Sequence, residues 1–373
     1  MSVMDREQVT RRAGSADRLL ADAASAAEAS HARIDLAVAE LFHAQEPRLD
    51  DGMRLAMARL LAGFVATIED DLRQRLLHRL SDGAPETLLA AFGDADVSIA
   101  APILERARLL HDAELVAALL RRAEEHRLRA LLPPAGEPAP SLIDTLMQGP
   151  DELLGGLAMA LLVAETRCLH ELEDPVLART DLPAELQHRL VWWVAAALRR
   201  HILSRRAMAT ATVDRILIAA ATEALAGYDE GDTVEGRAMQ VARRLQQRRA
   251  LDDAFVLRAV GEGHAALAVA ALAVRAGIEF ASAWEMTTDR DGSRLFVLLR
   301  ATGFGRSAAR DIAALFACID PEGGQEEGED RIAAFDWLDP VAAREAIRPW
   351  QLDGGYRRAL SELAAGLSGD RRR

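Results

Sequence analysis

The sequence has no lysine and no asparagine, so all 45 of its fixed cations are arginine, set against 58 aspartates and glutamates for a formal net charge of −13. A P-loop needs a lysine on the phosphates, a kinase needs its strand lysine, and a Schiff-base enzyme needs an amine that can lose its proton. Those classes are excluded. Cysteine occurs only at Cys168 and Cys318, too few for a disulfide framework and in keeping with a reducing compartment. Aromatics are scarce at 4%, while hydrophobic residues reach 50%. The rest is dominated by side chains that lose little freedom in a helix. Long apolar runs are missing too: the purest, Ala265 to Val274, is about half of the ~20 residues that cross a bilayer. The first residues lack the apolar core of a signal peptide. A cytoplasmic protein with no membrane partner is expected.

What is present is helical patterning over 373 residues, enough for two or three packing units. Asp51 to Leu80 reads as one long amphipathic helix with Leu55, Ala58, Leu61, Ala62 and Val65 at helical spacing. Shorter helices follow around Ala100 and Leu104, where Pro102 predicts a kink, and after His111, where Asp112 is placed to cap. Beyond a Pro-rich break at 132–140, helices are expected at Leu142 to Met147, Asp151 to Leu172, Ala184 through Leu198, and Thr212 to Leu225. The turn at Gly227 to Asp232 divides the chain, giving an N-terminal segment 1–48, a repeat domain 49–227 and a C-terminal domain 228–373. In that last part, helices at Val234 to Arg249, Asp252 to Glu262 and Ala265 to Ala276 precede others near Glu279, Ser293 and Ser307. Gly261, Gly263, Gly277, Gly292, Gly303 and Gly305 punctuate them as C-caps. The acidic insert 321–330 has nothing to bury and reads as a mobile loop. The fold class is all-α: stacked antiparallel helices, a HEAT-like degenerate solenoid with a second helical subdomain.

Three stretches carry a family likeness: Asp94 to Leu115, Arg179 to Leu186, and the Gly261-containing helix pair with Arg300-Ala-Thr-Gly-Phe304. Together they resemble a bacterial family defined only as a domain of unknown function with HEAT-like helices, over most of residues 50 to 320. The resemblance implies an all-helical fold and brings no catalytic residue, substrate or cofactor with it. The basic helix at 234–249 and the acidic insert have no counterpart in it.

Chemistry-bearing patterns each meet a simpler reading. Glu40 with His43 and Glu185 with His188 have the E-x-x-H spacing of di-iron bundles, but those sites need two further inward glutamates on long helices. Surface pairs are the expectation. His170-Glu-Leu-Glu-Asp-Pro175 resembles the phospho-accepting box of histidine kinases, yet Leu182-Pro183 would interrupt the helix such a box requires. Asp289 to Gly292 begins like a calcium loop, but Arg300 stands at the twelfth position, so it reads as a turn. No zinc pattern, serine triad motif or cofactor signature is present.

Surfaces remain. Arg199, Arg200, His201, Arg205 and Arg206 follow the Trp192-Trp193 pair, and Arg243, Arg244, Arg248 and Arg249 form a second cluster. Arginine forks suit carboxylate or phosphate partners. The two tryptophans are about 100° apart on a helix, so core positions for both are the simpler reading, and the alternative puts one in the core and the other, Trp193, on a groove as a binding anchor. The resulting expectation is a non-catalytic helical-repeat scaffold or adaptor in bacterial regulation. It binds a protein partner through the arginines and Trp193, with no cofactor and no metal. Nucleic-acid binding by the Arg strips is the alternative, although a net charge of −13 opposes it. Phosphotransfer at His170 is the second alternative, and a cryptic metalloenzyme the third.

Overall fold

A computed structural model describes residues 14–23, 37, 38, 41, 51–80, 98–131, 140–170, 180–204, 209–289, 292–316, 331–357, 359, 360 and 363. Among them the chain is helical, without a strand. The principal helices are α1 (Asp51–Leu80), α2 (Ala100–Arg106), α3 (Ala113–Leu131), α4 (Leu142–Met147), α5 (Glu152–His170), α6 (Ala184–Ser204) and α7 (Thr210–Ala226). They continue with α8 (Val234–Gln247), α9 (Asp253–Gly261), α10 (Ala265–Ala276), α11 (Phe280–Thr287), α12 (Ser293–Ala301), α13 (Arg306–Phe316) and α14 (Pro340–Ile347). The Pro-rich break at 132–139, the acidic insert 321–330, Glu40, His43, Arg205 and Arg206 lie outside the described residues.

The chain divides into two compact units. The first comprises Met1–Ala32, Glu125–Leu161 and Arg237–Arg373, the second Arg33–Glu124 and Leu162–Gly236.

In the second unit α1 packs on α2, α6 and α7, and α6 on α2 and α7. Its core is built from Met57, Leu60, Phe64, Ile68, Leu72 and Leu76 of α1 against Leu190, Val194, Leu198, Leu217 and Ala220. The buried face of α1 is therefore rotated from the expected one. Leu61 and Val65 are inside, but Leu55, Ala58 and Ala62 are exposed. The larger side chains at Met53, Met57, Leu60 and Phe64 remove more apolar area from water than the small residues chosen by spacing alone. Pro102 does not kink a helix. It stands in the first turn of α2, which starts at Ala100, where a missing N–H is tolerated. The amides of Ile99 and Ala100 and the hydroxyl of Ser98 donate to the buried Glu69 carboxylate at 2.8, 3.0 and 2.7 Å. Arg73 donates to the same group at 2.5 Å. Asp112 caps α3 as expected, accepting from the Leu115 amide at 3.0 Å.

In the first unit α10 is central. It packs on α9, α11 and α12, and α13 packs on α9 and α12. Nearly every residue of α10 is buried, which is why its sequence has no polar stripe. Gly263, Gly277 and Gly303 end α9, α10 and α12 at positive φ, where a side chain would be strained. The amides of His264, Ile278 and Phe304, each one residue beyond, reach back to carbonyls five residues earlier, the Schellman pattern. Gly292, expected to end a helix, instead precedes α12 at φ 70°. Its turn closes on the Asp289 carbonyl, and the Asp289 carboxylate accepts from the Arg294 amide. The amide of Gly305, at ordinary φ, donates to the Asp253 carboxylate at 3.1 Å. Among the described residues no single helix is long and apolar enough to cross a membrane.

Candidate functional site

The second arginine cluster, on α8, is partly committed to an internal ion pair within the first unit. Arg244 donates through Nε and Nη2 to the two oxygens of Asp151, at 2.9 and 3.0 Å, and Arg248 Nε lies 3.4 Å from the same carboxylate. Asp151 also caps α5, accepting from the Leu154 amide at 3.2 Å. The Arg244 hydrogen bonds hold its carboxyl below the usual carboxylate range, outweighing the partial loss of water. Arg243 and Arg249 are exposed. Arg249 is at φ 56°, with the Ala250 amide returning to Leu245, so an arginine occupies the helix-ending position that glycine usually fills.

That clamp fixes the start of a helix with two contrasting faces. Gly155 lets α5 approach α4, since a Cβ there would lie 3.0 Å from the Met147 carbonyl. Leu154, Ala158 and Leu161 are buried, while Leu153 is 57%, Met159 51% and Val163 52% exposed. With Gly156, where a Cβ would meet nothing within 4 Å, these exposed positions span an arc of about 120° of the helix. A single exposed leucine is ordinary, but a row of large apolar side chains along one face is not.

In the second unit the first arginine cluster is similarly engaged. Arg199 forms a bidentate pair with Asp214, and Arg200 is exposed. Trp192 and Trp193 are both half-buried, so neither is the full core residue expected. Trp192 donates its indole N–H to His188 Nε2 at 3.2 Å. The Arg189 guanidinium lies 5.9 Å from the Trp193 ring and binds Asp112 and Glu114. Glu185 and His188 are exposed on α6. His170 is the last residue of α5. Among the described residues no three His, Cys, Asp or Glu side chains are grouped to hold a metal ion.

The same unit contains a buried ionic network that the sequence reading missed. Glu235, in the first turn of α8, receives Arg122 at 3.3 Å and Arg121 at 3.3 Å. Arg122 also donates to the Asp181 carbonyl at 3.1 Å, and Arg167 lies 3.6 Å from the Asp181 carboxylate and donates to the Asp232 carbonyl at 2.9 Å. Burial raises the Asp181 pKa, with Arg122 and Arg167 pulling it back in part. The Cys168 thiol stands 3.5 Å from Asp181 Oδ2. Asp181 itself has φ 44°, a conformation that aspartate adopts more readily than most residues. The sequence signal for this arrangement is slight, the Arg121-Arg122 doublet of α3, because partners of Arg122 lie 59 and 113 residues along the chain.

The model of an uncharacterised protein family conserved in bacteria, DUF2336, matches residues 137–348, more than half of the chain. The chain belongs to this family. The matched span includes Arg179 to Leu186 and the pair formed by the Gly261 helix and Arg300 to Phe304; Asp94 to Leu115 falls before it. It also contains the apolar face of α5 and the α8 arginines. No curated protein and no solved structure matches.

Proposed function

We propose that this protein is a non-catalytic helical scaffold of the bacterial cytoplasm that holds a protein partner, and that the exposed face of α5 is part of its contact surface. The observation that carries the reading is the pair Leu153 and Met159 in the first unit, each more than half exposed on a stretch of helix whose opposite face, Leu154, Ala158 and Leu161, is in the core. Covering such side chains is worth roughly 1.5–3 kcal/mol each when burial is complete, which a protein partner supplies and a polar ligand does not. The packing of α6 on α7, α9 on α10 and α10 on α11 supports a HEAT-like arrangement, in which side chains on a stable frame serve recognition. The engagement of Arg199 by Asp214 and of Arg244 by Asp151 favours protein over nucleic acid, because those cations already have carboxylates.

Affinity purification from native extract at low and moderate salt, with mass spectrometry and an absorbance check, tests this. A stoichiometric protein retained by the wild type and lost from Met159→Glu is the expected result. Nucleic acid that washes off with salt, or turnover of a small molecule without any protein partner, overturns it.

A further inference from the structure

We infer that the element docking on α5 is an acidic amphipathic helix of the partner, laid along Leu153, Gly156 and Met159 with its carboxylates toward the arginines beside Asp151. The inference rests on the scaffold reading and adds the chemistry of what is recognised. All of the groups it uses belong to the first unit.

Two features of the surface specify the occupant. The apolar row is lowest at Gly156, between Leu153 and Met159, where no side chain projects and even an added Cβ would meet nothing within 4 Å, leaving room for a side chain of a second helix to pack. Helices docking on helices present apolar anchors at i, i+3 or i+4, and i+7, which matches a row of this length. The charge at the head of the row is the second feature. Asp151, two residues before Leu153, binds both Arg244 and Arg248, so one carboxylate faces two guanidiniums. Arg248 is 55% exposed and held by a single 3.4 Å contact, leaving most of its donors directed to water. Arg243 and Arg249 add two more exposed cations in the same stretch, and neither has a carboxylate partner among the described residues. Against these four arginines stand Asp151 and the exposed carboxylate of Glu152 beside Leu153, so a chain of net charge −13 keeps more cations than carboxylates where its apolar row begins.

A short acidic helix satisfies both features, since a few carboxylates meet the arginine forks while its apolar side chains cover Leu153 and Met159. An extended polyanion answers the arginines but leaves Leu153 and Met159 uncovered, and an anionic membrane sets a far larger negative surface against a chain of net charge −13 than a few carboxylates do.

The test uses the full chain as bait for a random peptide library displayed on phage. Expected is enrichment of sequences with Leu, Ile, Met or Phe at helical spacing together with Asp or Glu, bound more weakly as salt rises. Their affinity should fall about tenfold on Met159→Glu, and about tenfold on the charge reversal Arg243→Glu with Arg248→Glu. Leu153→Glu provides an independent variant, and far-UV circular dichroism confirms that each is folded. Apolar peptides without acidic residues that are lost on Met159→Glu would overturn the acidic inference and leave the scaffold reading standing. Peptides indifferent to Met159→Glu and Leu153→Glu would overturn both. Self-association in sedimentation that Met159→Glu abolishes would assign the row to a second copy and overturn the inference, as would tight binding of the wild type to vesicles of anionic lipid.

Discussion

Replacing Glu235 by glutamine probes the buried network of the second unit directly. The Glu235 and Arg122 side chains are 15% and 7% exposed, and Arg121 is 17% exposed, so the three charges are largely out of water. Glutamine keeps the shape but leaves two guanidiniums facing each other without their shared carboxylate. Breaking a buried pair by neutralising one partner costs about 3–5 kcal/mol. The separations of 3.3 Å are longer than those of the tightest ion pairs, which places the expected loss near the lower end, about 3 kcal/mol. At roughly 2–4 °C per kcal/mol, the melting temperature should drop by about 6–12 °C. Urea unfolding followed by circular dichroism at neutral pH measures the loss, and repetition across pH tests its cause. Burial raises the Glu235 pKa, but Arg122 and Arg121 more than offset it, so the folded carboxyl titrates below its ordinary 4.5. Such a group stabilises fully above 4.5 and loses that contribution as pH falls through the folded value, because the unfolded chain takes up the proton first. The gap between wild type and variant should therefore hold from neutral pH down to about 5 and narrow below it. Asp181 acts in the opposite sense: its raised pKa means that its charge costs stability at neutral pH, a cost relieved by acid. A loss under about 1 kcal/mol, or a gap that does not change on acidification, would refute the account of Glu235 as the counter-charge of a buried network.

Adjacent glycines on α5 should respond oppositely to alanine. Gly156→Ala adds a methyl in open space and should stabilise by about 1 kcal/mol in thermal unfolding, whereas Gly155→Ala forces a Cβ to 3.0 Å from the Met147 carbonyl and should bring no gain or a loss. Gly236→Ala should destabilise by about 1–3 kcal/mol, because its Cβ would lie 2.6 Å from the Glu230 carbonyl and 2.9 Å from that of Gly231; urea denaturation measures this. Arg108, exposed at φ 56° after α2, should gain about 1 kcal/mol of stability on replacement by glycine, read as a rise in melting temperature.

What the sequence made legible was local, and what it hid depends on partners far along the chain. The bounds of α1, α4 and α10 follow from apolar periodicity and breakers, and Asp112, Gly263, Gly277 and Gly303 cap where their chemistry requires. The α1 face was misjudged because several rotations of an Ala- and Leu-rich helix look apolar, and only the packing of α2, α6 and α7 selects the one carrying Met57, Leu60 and Phe64. The arginine clusters show the same limit in sharper form. Arg199, Arg244 and Arg248 look alike as neighbours of other arginines, yet Asp214 answers the first from 15 residues away and Asp151 answers Arg244 from 93. Because tertiary contacts decide which cations are neutralised, the meaningful charge is the excess left beside Asp151 rather than the count of arginines. The exposed row on α5 was hidden for the complementary reason: Leu153, Met159 and Val163 look like core residues in sequence. Only the burial of Leu154, Ala158 and Leu161 on the opposite side shows that the core had no room for both faces. Two apolar sides with one covered are what motivates the proposed contact surface on α5, and its head lies beside Asp151, which holds Arg244 and Arg248.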